Sequence, residues 1–436
     1  MLDKYKQSSP KSEALWNRAT NLFPGGVSHN IRTFGLDRCE AYPPFVKKAD
    51  GSHLWDSDGN EYVDWWMTHF AAILGHNPAN VSEAIQQQMA DGIHFGAPNE
   101  PQVVFGEKLR EAIPYLARMR FTSTGSEATM YAMRLARSFT GKRLIAKARG
   151  GWHGGNDALG YHISHPYADS PAYDGVSFEF NDRESTEILL KKHGKELAAV
   201  IVEPVLGAGG GLTPERDFLP FLREETEARG ILLIFDEIIT GFRLRFGAAG
   251  KEIFGVEPDL LTLGKIAAGG MPLGVYGGRE DVMALAVPGT SGGCWVGGGT
   301  FSSHPLSMVA GIATLEKLQT LKDEYKLLNR HGVKLCKRLN DLFESEGARA
   351  LATGTGSMIF IHWLQKMLDD SLLTGSKIGE ALDHDRLNHF QGLLVEQGIF
   401  GYHGLGALSF AHSDDDIERT YEVIAKIVPN LGAEKI

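Results

Sequence analysis

Asp236 and Lys265 are the residues whose type and placement say most about the chemistry of this chain. Asp236 follows the apolar run Ile231–Phe235, and Lys265 follows a second apolar run, Leu260–Gly264. Each run is typical of a buried strand, so an acid and an amine stand at the carboxyl ends of two strands. A pyridoxal 5′-phosphate (PLP) site uses such a pair. The amine forms an imine with the cofactor aldehyde, and the carboxylate keeps the pyridine nitrogen protonated.

A candidate phosphate loop lies between a strand and a helix at Phe121–Ala128. Thr124, Gly125 and Ser126 would stand at the amino end of that helix, where exposed N–H groups and the helix dipole bind phosphate. The hydroxyl of Ser126 adds a further donor. An ordinary N-cap, with Glu127 in the first helical turn, explains the same residues.

Two further motifs contain side chains that suit a flat cofactor. Trp152 stands between glycines in Gly150–Gly155, and glycines let a backbone approach a ring closely. A structural loop tryptophan is the alternative. His153 either bonds near that ring or is a satisfied loop histidine, and the sequence favours the satisfied loop histidine. Glu203 follows the apolar run Ala198–Val202; it either positions the 3-hydroxyl side of the cofactor or is a structural acid, and the sequence favours the structural acid.

Thr300 completes the set, in the glycine-hydroxyl loop Gly297–Pro305. It is a candidate phosphate donor, and an ordinary flexible loop is the alternative. Taken alone, a lysine after an apolar run is usually a surface lysine, because lysine is almost never buried unpaired. A PLP site needs a phosphate loop, an aromatic ring, an acid and a lysine, and this chain has candidates for all four. Their combination favours the interpretation as a cofactor site.

Composition narrows the class of protein. The chain has 436 residues, 43% of them hydrophobic, and a net charge of -10 without a block of like charges. That charge pattern argues against nucleic-acid and anionic-membrane partners. The cysteines, Cys39, Cys294 and Cys336, lack metal-ligand spacing, so no metal site is expected. The chain begins with polar residues, and no apolar stretch approaches the roughly 18 residues needed to span a bilayer. We therefore expect a cytoplasmic enzyme.

The pattern of elements predicts an α/β fold with a largely parallel sheet. Helices are expected at Val81–Ala90, Gln102–Ile113 and Glu127–Phe139, and strands at Met119–Ser123, Arg143–Ala146, Ala198–Val202, Ile231–Phe235 and Leu273–Tyr276. In such sheets ligands bind at the carboxyl ends of the strands. We predict residues 61–310 to form this large domain, and residues 1–60 and 311–436 to form a small α+β domain from both termini. In its C-terminal part, Ala350–His362 and Ile399–Ala411 are expected as β and Asp414 to about Val428 as a helix.

The motifs resemble the class-III PLP-dependent aminotransferases of fold type I, over nearly the whole chain. The segments that carry the resemblance are Phe235–Arg243, Pro258–Lys265, Gly269–Pro272 and Gly299-Thr300. The branch that contains glutamate-1-semialdehyde 2,1-aminomutase is the most similar, as indicated by Pro24–Val27, Arg32, Ala72–His76 and Ser123–Glu127. The resemblance implies a seven-stranded, mostly parallel sheet.

The resemblance also implies a role for each matching residue. Lys265 would be the Schiff-base lysine and proton shuttle, and Asp236 would pair with the pyridinium nitrogen. Ile238 would pack on the ring face opposite Trp152. Thr300 would reach the phosphate in the partner subunit, which implies a homodimer with shared active sites. Arg32 would bind the substrate carboxylate, although a structural arginine stays open.

The chain departs from the aminomutase pattern in its pocket. His69 stands where that branch has a pocket tryptophan, and glycine replaces an expected acid around Gly404. The gating run from Gly154 to Asp182 is short and carries His162, His165 and Tyr167. These departures favour an intermolecular aminotransferase that works by a ping-pong mechanism on an amino acid and an oxo acid. A β-amino acid or an unusual α-amino acid is the expected substrate, given the pocket aromatics, and His69 is a candidate substrate contact.

Three alternative functions remain open. An aminomutase would isomerise one substrate without an external oxo acid, and a decarboxylase of the same fold would release carbon dioxide. A non-catalytic PLP-fold binding module would have lost the lysine, and Lys265 argues against it.

Overall fold

The computed structural model describes residues 2–160, 175–368 and 372–433. Contacts divide the chain into two units, which we call the terminal unit (Met1–Pro78, Leu327–Leu368 and Ala381–Ile436) and the central unit (Ala79–Lys326 and Asp369–Glu380). The helix Pro305–Thr320 packs on the helix Ala79–Asp91 within the central unit. The predicted domain boundaries at 60/61 and 310/311 therefore differ from the boundaries of these two units. The units are defined by contacts alone, so the division into domains stays a prediction.

The strands and helices of the described residues have the following bounds. The strands are β1 (Val46–Asp50), β2 (His53–Asp56), β3 (Glu61–Asp64), β4 (Arg118–Thr122), β5 (Leu144–Ala148), β6 (Gly175–Phe178), β7 (Leu197–Val202), β8 (Leu232–Asp236), β9 (Leu260–Gly264), β10 (Gly274–Gly278), β11 (Ala350–Thr353), β12 (Met358–Trp363), β13 (Ile399–Phe400) and β14 (Gly406–Ala407). The α-helices are Asp3–Ser8, Pro10–Ala19, Ala79–Asp91, Glu100–Ala112, Gly125–Thr140, Arg183–His193, Phe218–Ala228, Gly250–Phe254, Glu280–Met283, Pro305–Thr320, Tyr325–Ser345, Gly375–Ala381, His384–Glu396 and Asp414–Ala433. Short 3-10 turns occur at Pro24–Gly26, Asn30–Thr33, Leu36–Cys39, Lys265–Ala268 and Ala284–Ala286. Met67–Phe70 forms one further short turn, with left-handed φ angles.

The central unit contains a seven-stranded sheet in the order β4-β10-β9-β8-β7-β5-β6. Neighbouring strands from β9 to β6 pair in parallel, whereas β10 runs opposite to β4 and β9. All residues of β5, β7, β8 and β9 are buried, as expected for strands covered on both faces. The predicted α/β fold with a mostly parallel sheet is confirmed. Strand β6 was not among the predicted strands.

The terminal unit contains two smaller sheets, ordered β1-β2-β3-β13 and β11-β12-β14. The prediction of β structure throughout Ile399–Ala411 is wrong. His403 and Gly404 have φ angles of 58° and 85°, and this left-handed turn separates two strands of two residues each. The last helix continues past the predicted end at Val428 to Ala433. Within the described residues, no helix combines the length and apolar character that a membrane span requires.

Candidate active site

The carboxyl edge of the central sheet collects most of the residues that the sequence singled out. Glu203 follows β7, Asp236 ends β8 and Lys265 follows β9. Because β7, β8 and β9 are neighbours that run in one direction, their carboxyl ends lie at the same edge. The Thr124–Ser126 turn follows β4, which runs in that direction too, since β10 is antiparallel to both β4 and β9.

Asp236 is 3% exposed, and hydrogen bonds fix both of its carboxylate oxygens. Oδ1 accepts from the backbone N–H of Ile238 at 3.1 Å and from the hydroxyl of Thr262 at 3.1 Å. Oδ2 lies 2.8 Å from Nδ1 of His153. This network holds the carboxylate in one orientation at the end of β8.

His153 is buried, and burial lowers the pKa of its imidazole, an effect that the Asp236 carboxylate opposes. A neutral imidazole has one N–H, and a carboxylate only accepts, so Nδ1 is the protonated nitrogen and donates to Asp236. Nε2 is buried and has no hydrogen-bond partner among the described residues. The sequence favoured a satisfied loop histidine; the structure places His153 directly on Asp236.

Lys265 follows the last residue of β9 and is half-buried. Burial lowers the pKa of its amine, and the carboxylates of Asp236 and Glu203 oppose that effect. Its φ of 43° is left-handed, which is uncommon for a residue other than glycine and occurs often at functional sites. A lysine with a lowered pKa has more neutral amine, which is the form that acts as nucleophile and base.

Glu203 is buried, and its two oxygens each accept one backbone N–H. The N–H of Trp152 donates to Oε1 at 3.2 Å, and the N–H of Gly207 donates to Oε2 at 3.0 Å. Burial raises the pKa of Glu203 to about 8, and the Asp236 carboxylate adds to the increase. Glu203 therefore ties the end of β7 to the loop that contains Trp152. A role toward the 3-hydroxyl of the cofactor stays a prediction.

The turn after β4 caps the helix Gly125–Thr140. Oγ1 of Thr124 accepts from the N–H of Glu127 at 3.2 Å, and the Glu127 carboxylate accepts from the N–H of Thr124, which completes a capping box. The N-cap alternative thus describes Thr124. The N–H groups of Gly125 and Ser126 have no acceptor within the described part of the chain. They are the donors that remain for an anion at this helix end.

Ile238 and Trp152 are placed as flanking groups. A Cβ on Gly125 would lie 2.4 Å from Cδ1 of Ile238, so the Ile238 side chain lies directly against the first residue of the helix. Trp152 is 38% exposed and lies next to the buried His153 in the chain. These groups fit the parts of PLP. The free N–H donors at the helix end fit its phosphate, and the fixed carboxylate fits its ring nitrogen. The lysine of lowered pKa fits its aldehyde, and the accessible indole fits its ring face.

Thr300 is exposed, and its loop lies beside the same turn. A Cβ on Gly299 would lie 3.3 Å from Oε1 of Glu127, and one on Gly298 would lie 2.6 Å from the carbonyl oxygen of Phe121. The loop before Thr300 is therefore in contact with the candidate phosphate loop of its own chain. Whether Thr300 serves the partner subunit's phosphate stays a prediction.

Arg32 and His69, the predicted substrate residues, both line a cavity of about 580 Å³ in the terminal unit. Arg32 lies in the turn Asn30–Thr33 and is exposed. Most other lining side chains are apolar, and they include Phe34, Pro43, Leu54, Trp66 and Phe400. A guanidinium in an apolar cavity suits a ligand that has a carboxylate and an apolar group.

An unusual backbone turn presents His69 to this cavity. The four residues Met67–Phe70 have φ angles of 43°, 51°, 61° and 67°. The left-handed conformation costs about 1–2 kcal/mol for each non-glycine residue. Asp64 stabilises the turn by accepting from the N–H of Met67 at 3.1 Å. As a result the His69 ring stacks on Trp66 with centroids 4.4 Å apart and an interplanar angle of 18°.

The turn at Gly404 shows why no acidic side chain stands there. A Cβ on Gly404 would lie 2.2 Å from the carbonyl oxygen of Ile361 and 2.7 Å from its nitrogen. The φ of 85° also disfavours any other residue.

Of the segment Gly154–Asp182, the residues His162, His165 and Tyr167 lie outside the described residues.

The sequence did not single out two residues that support the site. Thr262 lies on β9 opposite Asp236 and donates to its carboxylate; its hydroxyl inside an apolar strand was the available signal. Lys147 lies on β5, has no exposed surface, and donates to the carbonyl oxygens of Gly151 and Leu159 at 3.0 Å each. A lysine inside a buried strand was the signal in that case.

Comparison with known proteins gives concordant results. Residues 37–377 match the family model described as Aminotransferase class-III. A glutamate-1-semialdehyde 2,1-aminomutase of Thermoplasma acidophilum is 37% identical over 424 residues, covering 94% of this chain and 97% of that protein.

Two solved structures are similar over nearly the whole chain. An omega-transaminase from Sphaerobacter thermophilus has a TM-score of 0.87 and 31% identity, covering 98% of this chain and 99% of that one. A β-phenylalanine aminotransferase from Variovorax paradoxus has a TM-score of 0.89 and 31% identity, covering 99% of this chain and 96% of that one.

Proposed function

The chain belongs to the class-III aminotransferase family, whose cofactor is PLP, and we propose that it is an aminotransferase acting between an amino acid and an oxo acid by a ping-pong mechanism. The observation that carries this proposal is the cavity that combines the Arg32 guanidinium with apolar side chains and the stacked pair of Trp66 and His69. Such a lining favours an amino acid with an apolar or aromatic group, a β-amino acid or an unusual α-amino acid. The printed names of the two similar structures, a transaminase and a β-phenylalanine aminotransferase, support the same class.

When bound, PLP supplies an aldehyde that takes up the amino group and a ring that accepts the electrons of the broken bond. Lys265 would hold this aldehyde through its amine, and as a free neutral amine it would be the base that moves a proton. Burial favours its neutral form, which both tasks need. The nearby carboxylates of Asp236 and Glu203 limit how far its pKa falls.

The other residues bind and orient. Asp236, fixed by Thr262 and by the N–H of Ile238, keeps its charge directed at one place and holds the proton of the ring nitrogen. The N–H groups of Gly125 and Ser126 hold the phosphate at the helix end. The flat, forked guanidinium of Arg32 binds the substrate carboxylate in a bidentate manner.

The proposal extends to the assembly and the compartment. A homodimer with shared active sites is the proposed functional unit, with Thr300 contributed to the partner's phosphate site. Trp295 and Phe301, at 82% and 58% exposed, flank Thr300 and provide apolar surface for such an association. A cytoplasmic location is part of the same proposal, and the substrates are small amino and oxo acids.

A glutamate-1-semialdehyde 2,1-aminomutase is the second candidate, because relatives with that name are 37% identical over nearly their full length. Two positions favour the aminotransferase instead. Gly404 leaves no space for the acidic side chain expected in the aminomutase branch, and His69 replaces its pocket tryptophan. A PLP-dependent decarboxylase is a less favoured third candidate.

The deciding experiment mixes the purified PLP-loaded protein with a panel of α-amino, β-amino and non-carboxylate amines, without an oxo acid. We expect one equivalent of oxo product per site and loss of the visible absorbance of the Lys265-bound cofactor, restored when an oxo acid is added. Turnover of glutamate semialdehyde alone, with no oxo product from any amine, would establish the aminomutase instead. Lys265→Ala is the control, and full turnover by that variant would contradict the mechanism.

A further inference from the structure

Lys147 is a buried cation close to the cofactor site, but none of the catalytic tasks above uses it. It lies in β5, a strand whose residues are all buried, and none of its surface is exposed. Burying an ammonium group is costly unless polar partners replace its water. Here the carbonyl oxygens of Gly151 and Leu159 accept hydrogen bonds from its Nζ, at 3.0 Å each. A lysine at this depth, with its Nζ on these two carbonyl oxygens, is placed to hold them in fixed positions.

The two carbonyl groups bracket one loop. Gly151 directly precedes Trp152 and His153, and Leu159 ends a short turn in which its own N–H donates to the carbonyl oxygen of Asn156. One ammonium group therefore fixes both ends of the segment 151–159. Because a charged donor forms stronger hydrogen bonds than a neutral one, this tether is strong for a loop.

The tethered loop contains two of the groups that surround the proposed cofactor position. The N–H of Trp152 donates to Glu203, and His153 contacts Asp236 through Nδ1. The carbonyl oxygen of His153 accepts from the Thr129 hydroxyl at 2.6 Å, which anchors the first part of the loop to the helix Gly125–Thr140. A displacement at Gly151 would be passed directly to the next two residues, because they are adjacent in the chain.

We propose that Lys147 is a positioning residue of the cofactor site: its ammonium group fixes the loop from Gly151 to Leu159 and thereby sets Trp152 and His153 in place. The inference rests on the proposed roles of Asp236 and Trp152 toward PLP. It does not depend on which amine the enzyme uses.

The charge of Lys147 also acts on His153 itself, by favouring its neutral form. Burial is the main cause that lowers the pKa of His153, Asp236 opposes it, and the Lys147 cation lowers it further. A neutral His153 donates one hydrogen bond to Asp236 without cancelling its charge. The carboxylate charge then stays available for the pyridinium nitrogen of PLP.

The test compares Lys147→Met with a matched control, Lys142→Met. Lys142 also donates to two backbone carbonyl oxygens, those of Arg229 and Gly230, at 3.2 and 3.3 Å, but its contacts do not involve the 151–159 loop. Both proteins are measured for the dissociation constant of PLP, for the visible circular dichroism of bound PLP, and for hydrogen exchange of the peptide 150–160.

We expect Lys147→Met to bind PLP about 10-fold or more weakly, since a displaced loop disturbs the hydrogen bond of His153 to the charged Asp236, and losing a hydrogen bond to a charged group has effects of this size. The visible dichroism should decrease, and exchange should increase in the peptide 150–160 alone. Lys142→Met should match the wild type in all three. Wild-type dichroism and exchange in Lys147→Met, or equal changes in both variants, would overturn the inference.

If Lys147→Met does not accumulate as soluble protein, Lys147→Arg replaces it, because arginine keeps the charge and changes the donor geometry. Exchange in the peptide 150–160 should then lie above the wild type, and wild-type exchange with wild-type PLP binding would overturn the proposal. None of these readouts requires amino transfer. A failed amine panel and a failed loop measurement are therefore distinguishable outcomes.

Discussion

His153 Nδ1 and Asp236 Oδ2 lie 2.8 Å apart, which joins a loop after β5 to the end of β8. The imidazole is buried and its pKa is lowered, so it donates its single N–H to the carboxylate. The opposite oxygen of Asp236 is occupied by Thr262 and the N–H of Ile238. The carboxylate orientation in this network therefore depends on residues from three separate segments.

Removing the imidazole donor should weaken the site. We expect His153→Leu to lower PLP affinity about 10- to 100-fold, since a hydrogen bond to a charged group contributes ~1.5–3 kcal/mol. His153→Asn places an amide donor near the position of Nδ1 and should retain most of the affinity. Equilibrium titration of each purified variant with PLP checks this. Equal losses in the two variants would show that the ring shape, rather than its donor, supports Asp236.

Glu203 should make the stability of the folded protein depend on pH. Its pKa is raised by burial to about 8 from an ordinary 4.5. Between these values the folded protein holds a proton that the unfolded chain has released, so this group makes stability fall as pH rises from about 4.5 to about 8.

Glu203→Gln should remove that dependence. Near pH 4.5 the variant should be less stable than the wild type, on the order of 1–3 kcal/mol, because its amide NH2 faces an N–H group. This deficit should shrink as pH rises, since only the wild type has a carboxyl group that ionises in the unfolded chain and stays protonated in the folded one. Its melting temperature should, however, fall less than that of the wild type between about pH 5 and about pH 8. Differential scanning calorimetry of both proteins, with the exposed Glu215→Gln as control, measures the difference. Parallel pH curves for wild type and Glu203→Gln would contradict the assignment.

The sequence predicts the strand-end residues well because their placement follows from a simple rule. Asp236 and Lys265 each end a buried apolar run, and parallel strands bring their ends to one edge. The His153–Asp236 contact joins residues 83 positions apart through an irregular loop, and no periodic pattern encodes that loop. The turn at Gly404 was missed for a similar reason, because two left-handed residues interrupt an apolar stretch that otherwise favours a strand.

Restoring an acid at Gly404 should destabilise the protein rather than convert its activity. In Gly404→Asp the new Cβ would lie 2.2 Å from the carbonyl oxygen of Ile361. Steric overlap and the left-handed φ together should cost about 2–4 kcal/mol. Gly59→Asp is a matched control, because Gly59 has a φ of 96° but open space around it. Urea denaturation measures the free energy of unfolding of both variants. Gly59→Asp should lose only the backbone contribution, and Gly404→Asp should lose the steric contribution as well. Equal losses in the two variants would refute the close approach.

Arg32 should discriminate between substrates with and without a carboxylate. In Arg32→Lys the charge remains but the bidentate fork is lost, so KM for a carboxylate substrate should rise about 10- to 100-fold with a small change in kcat. An amine with the same aryl group and no carboxylate should show nearly unchanged KM. Steady-state kinetics on the two matched substrates measure the ratio, with the exposed Arg18→Lys as control. A similar increase in KM for both substrates would identify Arg32 as a structural arginine of the 30–33 turn, because loss of a carboxylate contact affects only the carboxylate substrate.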